Sequence, residues 1–141
     1  MSGCLLDTNV VIEARKGRAA DSSFLGWYQT LGEGELFLSV LVTGEIRKGI
    51  ELARRQDLPK AQALERWLRG LERQFADRIL PVTPAIADQW GRLSAVRPLP
   101  VIDALLAATA LIHDLTFITR NVAQVQQTGV KLLNPFTIPK R

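Results

Sequence analysis

The chain has 141 residues, of which 47% are hydrophobic and 23% are charged, a balance typical of a globular protein rather than a disordered one. No apolar run approaches the roughly 20 residues of a membrane span, and no secretory signal is present, so we expect a cytoplasmic protein. Lysine and arginine number 18 against 14 aspartates and glutamates, a net charge of +4 that favours phosphate-bearing partners without specifying them. Cys4 is the only cysteine, which excludes an internal disulfide and agrees with a reducing compartment.

The first half of the sequence predicts two strands separated by helices. The apolar run Cys4-Leu5-Leu6 is typical of a short buried strand. Thr8 or Asn9 is expected to cap the following helix, which ends near Lys16. The remaining elements of this half are a helix over 21–31, a strand over 35–40, and a helix over 41–56 that breaks at Leu58-Pro59 and resumes over 60–76.

The second half continues the alternation of short apolar strands and helices. Its elements are a strand over 78–82, a helix from Pro84 to about Ala95, an alanine-rich helix over 100–114, a strand over 116–120 and a terminal strand over 130–136. This alternation indicates βαβ units and a mostly parallel sheet. We therefore predict a single domain over residues 1–141, with a three-layer α/β fold and four or five strands.

Three of the fourteen acidic residues stand out because of their apolar surroundings. Asp7 ends the first strand, Glu45 lies in the helix that follows the second strand, and Asp103 lies in the first turn of the alanine-rich helix. Most of the other acids lie among polar neighbours or open helices. Glu13 and Asp114 are also expected on the surface.

Each of the three acids either has an ordinary local partner, such as a cationic side chain or backbone amides, or shares one bound cation with the other two. A charge in apolar surroundings costs free energy unless a salt bridge, backbone amides or a metal ion offsets it. In a parallel sheet, ligands gather outside the carboxyl ends of the strands, and carboxylates that converge there repel one another unless a cation lies between them. Oxygen ligands favour Mg²⁺ or Mn²⁺, whereas zinc is disfavoured because Cys4 and His113 are the only softer ligands.

The segment TRNVAQ, residues 119–124, adds the amide oxygen of Asn121 and the hydroxyl of Thr119 to this set. A metal site of this kind polarises a phosphate and activates water for in-line attack, while a carboxylate free of the metal orients that water or accepts its proton. Five nearby cations either hold a nucleic-acid backbone or are ordinary exposed side chains: Arg15, Lys16, Arg47, Lys48 and Arg120.

Four stretches of the chain resemble the PIN-domain ribonucleases, in particular the VapC-type toxins of bacterial toxin–antitoxin pairs and their FitB-like branch. The stretches are LLDTNVVIE, LSVLVTGEIRKGI, RPLPVIDALLAATAL and FITRNVAQVQQTGVKLLNPF, in the family's order from residue 5 to residue 136. The resemblance implies a PIN fold and a Mg²⁺-dependent endoribonuclease, with Mn²⁺ as a possible substitute. It further implies a homodimer and a cognate VapB-like antitoxin that blocks the site.

The resemblance also implies roles for individual residues. Asp7, Glu45 and Asp103 fall on the family's three main acids. Asp7 and Asp103 are the principal metal ligands in this assignment, and Glu45 completes the acidic pocket. The residues assigned to substrate binding are Thr8, Arg47 and Arg120.

The chain departs from the family at the fourth catalytic position, which is assigned to Asn121. Some members have Asp there, and many have Asp at the place of Gln124. With amides at both positions the site carries three formal negative charges, so a second tightly held metal ion is in doubt. A PIN-like module that binds antitoxin or RNA without cutting therefore remains the alternative function.

A homodimer is also predicted from the apolar residues of the helical stretches 41–56 and 60–76. Leu64, Trp67, Leu68 and Leu71 are more numerous than one small sheet requires, and exposed apolar area of this kind marks interfaces.

Overall fold

The computed structural model describes residues 3–137, in which five short strands form one sheet and every strand pair is parallel. The strand order is β3-β2-β1-β4-β5, so β1 lies in the middle. This confirms the predicted α/β fold with a parallel sheet. The strands are β1 (Cys4–Leu6), β2 (Leu36–Ser39), β3 (Ile79–Leu80), β4 (Thr116–Ile118) and β5 (Leu132–Leu133).

Helices connect the strands and cover the sheet. Most helix boundaries agree with the sequence prediction, but the helix predicted over 21–31 already ends at Tyr28, and the helix after β4 has only four residues. The helices described within residues 3–137 are α1 (Thr8–Arg15), α2 (Ser22–Tyr28), α3 (Val40–Arg54), α4 (Leu58–Gln74), α5 (Pro84–Val96), α6 (Val101–His113) and α7 (Val122–Val125).

The core is built from strands that are buried on both faces. Leu5, Leu38 and Ile118 are fully buried, as expected for the continuous apolar runs of a parallel sheet. The alanine-rich helix α6 packs closely because its small side chains, including Ala104 and Ala107, are also fully buried. Because the strands and α6 are tightly packed, the edge of the sheet at which the strands end has a well-defined position.

The apolar residues that led to the dimer prediction are largely accounted for within the chain. Helices α3 and α4 pack against each other. Leu68 and Leu71 are only 3% and 7% exposed, while Leu64 and Trp67 pack against the core. Leu68 and Leu71 therefore offer no area to an interface, and Leu64 and Trp67 are only partly exposed, so these four residues alone do not support the homodimer, which remains a prediction. No helix in the described part of the chain is long and apolar enough to cross a membrane.

Candidate active site

Asp7 directly follows β1 and is the N-cap residue of α1. Its Oδ1 accepts a hydrogen bond of 2.8 Å from the backbone N–H of Thr8, and its own backbone N–H donates to the carbonyl of Ile118. The prediction that Thr8 or Asn9 caps this helix was wrong. Asp7 takes the position because its extended backbone, at φ −73° and ψ 161°, turns the carboxylate back over the first helical turn.

Three donors hold the buried Asp7 carboxylate, which is 4% exposed. Besides the Thr8 amide, Thr119 Oγ1 donates to Asp7 Oδ2 at 2.6 Å, and Asn9 Nδ2 donates to the same oxygen at 3.3 Å. Burial raises the pKa of Asp7, the bonds from Thr119 and Thr8 lower it, and the charge of Glu45 raises it, with a net shift upward. The carboxylate is thus fixed in orientation and costly to ionise.

Glu45 is half-buried on α3 and is linked to the beginning of α1. Thr8 Oγ1 donates a hydrogen bond to Glu45 Oε1 across 37 residues of sequence. Thr8, which was assigned to substrate binding, therefore holds an acid of the site with its hydroxyl. Its role toward a substrate stays a prediction.

Asp103 lies in the first turn of α6 and is half-buried. Burial raises its pKa, and the negative charges of Asp7 and then Glu45 raise it further. Within residues 3–137, the Asp103 side chain makes no hydrogen bond or ion pair, which argues against the salt-bridge explanation. The structure therefore brings the three acids to one edge of the sheet, where the charge of Glu45 acts on Asp7 and the charges of both act on Asp103.

The segment after β4 closes the same edge. The backbone N–H of Asn121 donates to Thr119 Oγ1 at 3.0 Å, so one hydroxyl connects this segment to Asp7. The backbone N–H of Arg120 donates to Asn9 Oδ1 at 3.3 Å, which forms a second connection. Asn121 and Arg120 are exposed beside the acids. The catalytic role assigned to Asn121 stays a prediction.

Arg47, which was also assigned to substrate binding, is engaged elsewhere. Its guanidinium makes two hydrogen bonds to the Glu65 carboxylate, at 2.6 and 2.5 Å, and one to Glu51 at 3.2 Å. These bonds raise the pKa of Arg47, and they lower the pKa of Glu65 to about 2. The side chain joins α3 to α4, so its assigned contact with a substrate remains a prediction without support from this geometry.

Glu13, which was expected on the surface, is buried, so that prediction was wrong. Glu13 is 6% exposed and accepts hydrogen bonds from the backbone N–H of Asp21 at 2.7 Å and from Lys16 Nζ at 2.9 Å. The bond from Asp21 is the main reason why the pKa of Glu13 is lowered. Asp114, in contrast, is exposed at the end of α6 as expected.

The parallel α/β fold with acids at the carboxyl edge of its sheet has a known counterpart, because the chain belongs to the PIN domain family, whose model matches residues 4–128. The chain is 28% identical over 137 residues to Toxin FitB of Neisseria gonorrhoeae, with 94% of this chain and 97% of that protein covered. It is 26% identical over 141 residues to VapC ribonuclease Y4jK of Sinorhizobium fredii, with coverages of 94% and 96%.

The fold of the chain is also similar to that of a solved structure. The crystal structure of FitAcB from Neisseria gonorrhoeae matches with a TM-score of 0.85 at 27% sequence identity. The match covers 96% of this chain and 99% of that chain, so the whole described fold has a counterpart there. The resemblance to PIN domains inferred from the sequence motifs is therefore confirmed.

Proposed function

We propose that this PIN domain is a metal-dependent endoribonuclease that acts as a toxin and is neutralised by an antitoxin. The observation that carries the proposal is the electrostatic coupling of Asp7, Glu45 and Asp103 at the carboxyl edge of the sheet. Acids whose pKa values are raised by burial and by a neighbouring acid, as those of Asp7 and Asp103 are, are typical of functional sites. The names of the relatives, a toxin and a ribonuclease, favour the same activity.

The donor set suits Mg²⁺ or Mn²⁺, with Asp7 and Asp103 as the proposed ligands. Both offer carboxylate oxygens, and a cation between them would offset the charge of Asp7, which together with burial raises the pKa of Asp103. No group of three Asp, Glu, His or Cys side chains in the described part of the chain is arranged to hold a metal ion. Two carboxylates are sufficient for Mg²⁺, which usually keeps several waters and binds substrate phosphate as well.

The bound metal ion would supply Lewis-acid polarisation of the phosphate and a water of lowered pKa. The protein's own contribution is orientation. Thr119 and the Thr8 amide fix the Asp7 carboxylate, and Thr8 Oγ1 occupies one oxygen of Glu45. The other Glu45 oxygen is then available to orient a water molecule or accept its proton. Asn121 and Arg120 stand beside this point, where they would contact the RNA.

The direct test is RNA cleavage by the purified chain after its partner has been removed under denaturing conditions and the chain refolded. We expect cleavage with Mg²⁺ or Mn²⁺, none with EDTA, and recovery when Mg²⁺ is added back. An Asp7→Asn variant purified in the same way controls for a contaminating ribonuclease. Cleavage that persists in EDTA, or in Asp7→Asn, would contradict the proposal.

A binding module that does not cut RNA is the second candidate function. The absence of a ready three-ligand metal group within residues 3–137, and the amides at Asn121 and Gln124, favour it. The same experiment separates the two functions, because this module would bind RNA or its partner and leave the RNA intact with every metal tested.

The proposed antitoxin site is a groove of about 390 Å³ between α1, α3 and α4. Glu45 lines it, so a segment that fills the groove reaches an acid of the active site. An arginine or lysine of the antitoxin would offset the negative charge there, and arginine pairs bidentately with carboxylates. The apolar residues that line the groove are Ile12, Ile46, Ala53, Leu64 and Trp67.

Gly49 provides a sharp test of this groove. It lines the groove, and a Cβ placed on it meets no atom within 4 Å, so Gly49→Leu introduces a side chain into the groove from an open position. We expect this variant to cleave RNA but to escape inhibition by the co-purified antitoxin. Gly91→Leu is the matched control, because its Cβ position on α5 is equally open. Equal inhibition of both variants, or full inhibition by an antitoxin whose basic tail residues are changed to alanine, would contradict this mechanism.

A further inference from the structure

Four side chains form a continuous stack that ends in the guanidinium of Arg120. Tyr28 stacks on Phe24 with ring centroids 5.1 Å apart and an interplanar angle of 22°. Phe24 stacks on Phe136 at 5.8 Å and 21°. The central carbon of the Arg120 guanidinium lies over the Phe136 ring, 3.8 Å from its centroid, which is a close cation–π contact.

The Arg120 side chain is held at two points and remains open on one side. Phe136 supports its inner face, and Nη2 lies 4.0 Å from Oε1 of the buried Glu13. Even so, 54% of the side chain is exposed. A planar cation that is seated in this way presents a flat, preorganised surface to the solvent rather than a mobile charge.

This surface lies within the segment that closes the active site. The backbone N–H of Arg120 is bonded to Asn9, and Asn9 is bonded to Asp7. On the other side of Arg120, Asn121 is bonded to Thr119, which is also bonded to Asp7. The backbone of Arg120 is therefore connected on both sides to residues that hold Asp7, which fixes the position from which its side chain extends.

We propose that the Arg120 guanidinium, seated on Phe136, is a stacking platform for one base of single-stranded RNA next to the scissile phosphodiester. Unstacked RNA bases are bound in proteins by stacking on aromatic rings and on arginine planes, and each stacked base contributes appreciably to affinity. The inference rests on the proposed function, since it names the part of the RNA that this edge of the site recognises. Arg120 would thus select an accessible, unpaired base as well as neutralise phosphate charge.

The test uses a fluorescein-labelled single-stranded RNA whose cleavage position has been mapped with Mg²⁺. One abasic nucleotide is then placed in turn at each position around that bond, and binding is measured by fluorescence anisotropy in EDTA. For the parent chain we expect one position at which removal of the base weakens binding by roughly 5- to 100-fold. Removal of a base elsewhere should have a much smaller effect.

Arg120→Lys keeps the charge and removes the planar surface. We expect it to bind intact RNA more weakly by a similar factor and to be indifferent to the abasic nucleotide at the sensitive position. Phe136→Leu removes the ring beneath the guanidinium and should behave in the same way. If this variant does not fold, the result for Arg120→Lys alone tests the platform. Arg92→Lys, which changes an exposed arginine on α5 paired with Asp88, is the matched control and should behave like the parent.

The outcomes separate the platform from the proposed function. If the parent cleaves RNA and Arg120→Lys retains the full penalty at the sensitive position, the platform is wrong and the function stands. If no abasic position is sensitive in a parent that cleaves RNA, the platform is likewise wrong. If the parent neither binds nor cleaves RNA, both are wrong.

Discussion

Thr119 Oγ1 donates a hydrogen bond of 2.6 Å to Oδ2 of Asp7, and both side chains are buried. The bond joins the end of β4 to the end of β1, two strands that are neighbours in the sheet but 112 residues apart in sequence. It also opposes the effect of burial on the pKa of Asp7. Thr119 is therefore a positioning residue for the acid that we propose as a metal ligand.

We expect Thr119→Val to reduce RNA cleavage by about 10- to 100-fold, the usual effect of removing a hydrogen-bond partner of a metal ligand. The pKa of Asp7 should rise further, since a bond that lowers it is lost. The acidic limb of the pH–rate profile should therefore move to higher pH. Thermal or urea unfolding should show a loss of about 1–3 kcal/mol.

Two control variants accompany Thr119→Val. Thr119→Ser keeps the hydroxyl and should restore both activity and the pH profile. Thr109→Val removes an equally buried hydroxyl, which is bonded to the Leu105 carbonyl on α6, and should affect stability alone. An unchanged pH–rate profile in Thr119→Val would contradict the positioning role.

Asp103→Asn should reduce cleavage to background and leave the metal-free fold at least as stable as the parent. The substitution preserves shape and removes one of three charges that repel one another. If Asp103 instead served a buried ion pair, the variant would lose roughly 3–5 kcal/mol of stability. Melting temperatures of parent and variant without metal distinguish the two cases by sign.

The pH dependence gives an independent check on Asp103. Its pKa is raised in the folded protein, so the folded state binds more protons than the unfolded state, and ionisation lowers stability as the pH rises above the usual aspartate range. The advantage of Asp103→Asn should therefore be present at neutral pH and shrink as the pH falls toward that range. An advantage that grows on acidification would contradict the raised pKa.

Glu13→Gln should show the opposite trend. Its lowered pKa means that the ionised carboxylate stabilises the fold above the usual glutamate range, and that this stabilisation is lost as the pH falls through the folded-state pKa. We expect the variant to be less stable than the parent by about 1–2 kcal/mol at neutral pH. Urea unfolding at a series of pH values should show that this difference closes at acidic pH; a constant difference would exclude the charge as its cause.

The homodimer remains a prediction, now with a different candidate surface. Val96 at the end of α5 and Val101 at the beginning of α6 are 84% and 57% exposed, and large exposed apolar residues in proximity mark interfaces. Sedimentation at micromolar concentration should give twice the 15.6 kDa of one chain. Val96→Lys should shift the mass toward the monomer, whereas Leu52→Lys, a similar change on α3, should not. A monomeric parent would contradict the prediction.

The sequence revealed the parts of this site that depend on local pattern. Asp7 directly ends an apolar strand, and Asp103 interrupts an alanine-rich apolar helix, so each acid is conspicuous among its immediate neighbours. The strand-and-helix alternation then placed both at the carboxyl edge of a parallel sheet. The fold follows from the same short-range signals, which explains why all five strands lie within the predicted ranges, although four of them are shorter than predicted.

Hydrogen bonds and ion pairs between residues that are not neighbours in the sequence could not be predicted from local patterns. Arg47 is occupied by Glu65, 18 residues away on another helix, and Glu13 is buried because a turn returns the Asp21 amide to it. Thr8 was predicted as a candidate N-cap residue of α1. Its hydroxyl instead donates a hydrogen bond to Glu45, and the N-cap residue is Asp7. Only the tertiary structure decides such competitions between alternative hydrogen-bond partners.

The most direct test of the account is calorimetric titration of Mg²⁺ and Mn²⁺ into the purified chain without RNA or antitoxin. We predict that the parent binds one ion, that Asp103→Asn shows no binding over the same concentration range, and that Arg92→Lys binds as the parent does. Equal binding by the parent and Asp103→Asn would contradict the metal site proposed here. So would a parent that binds neither ion and still cleaves RNA.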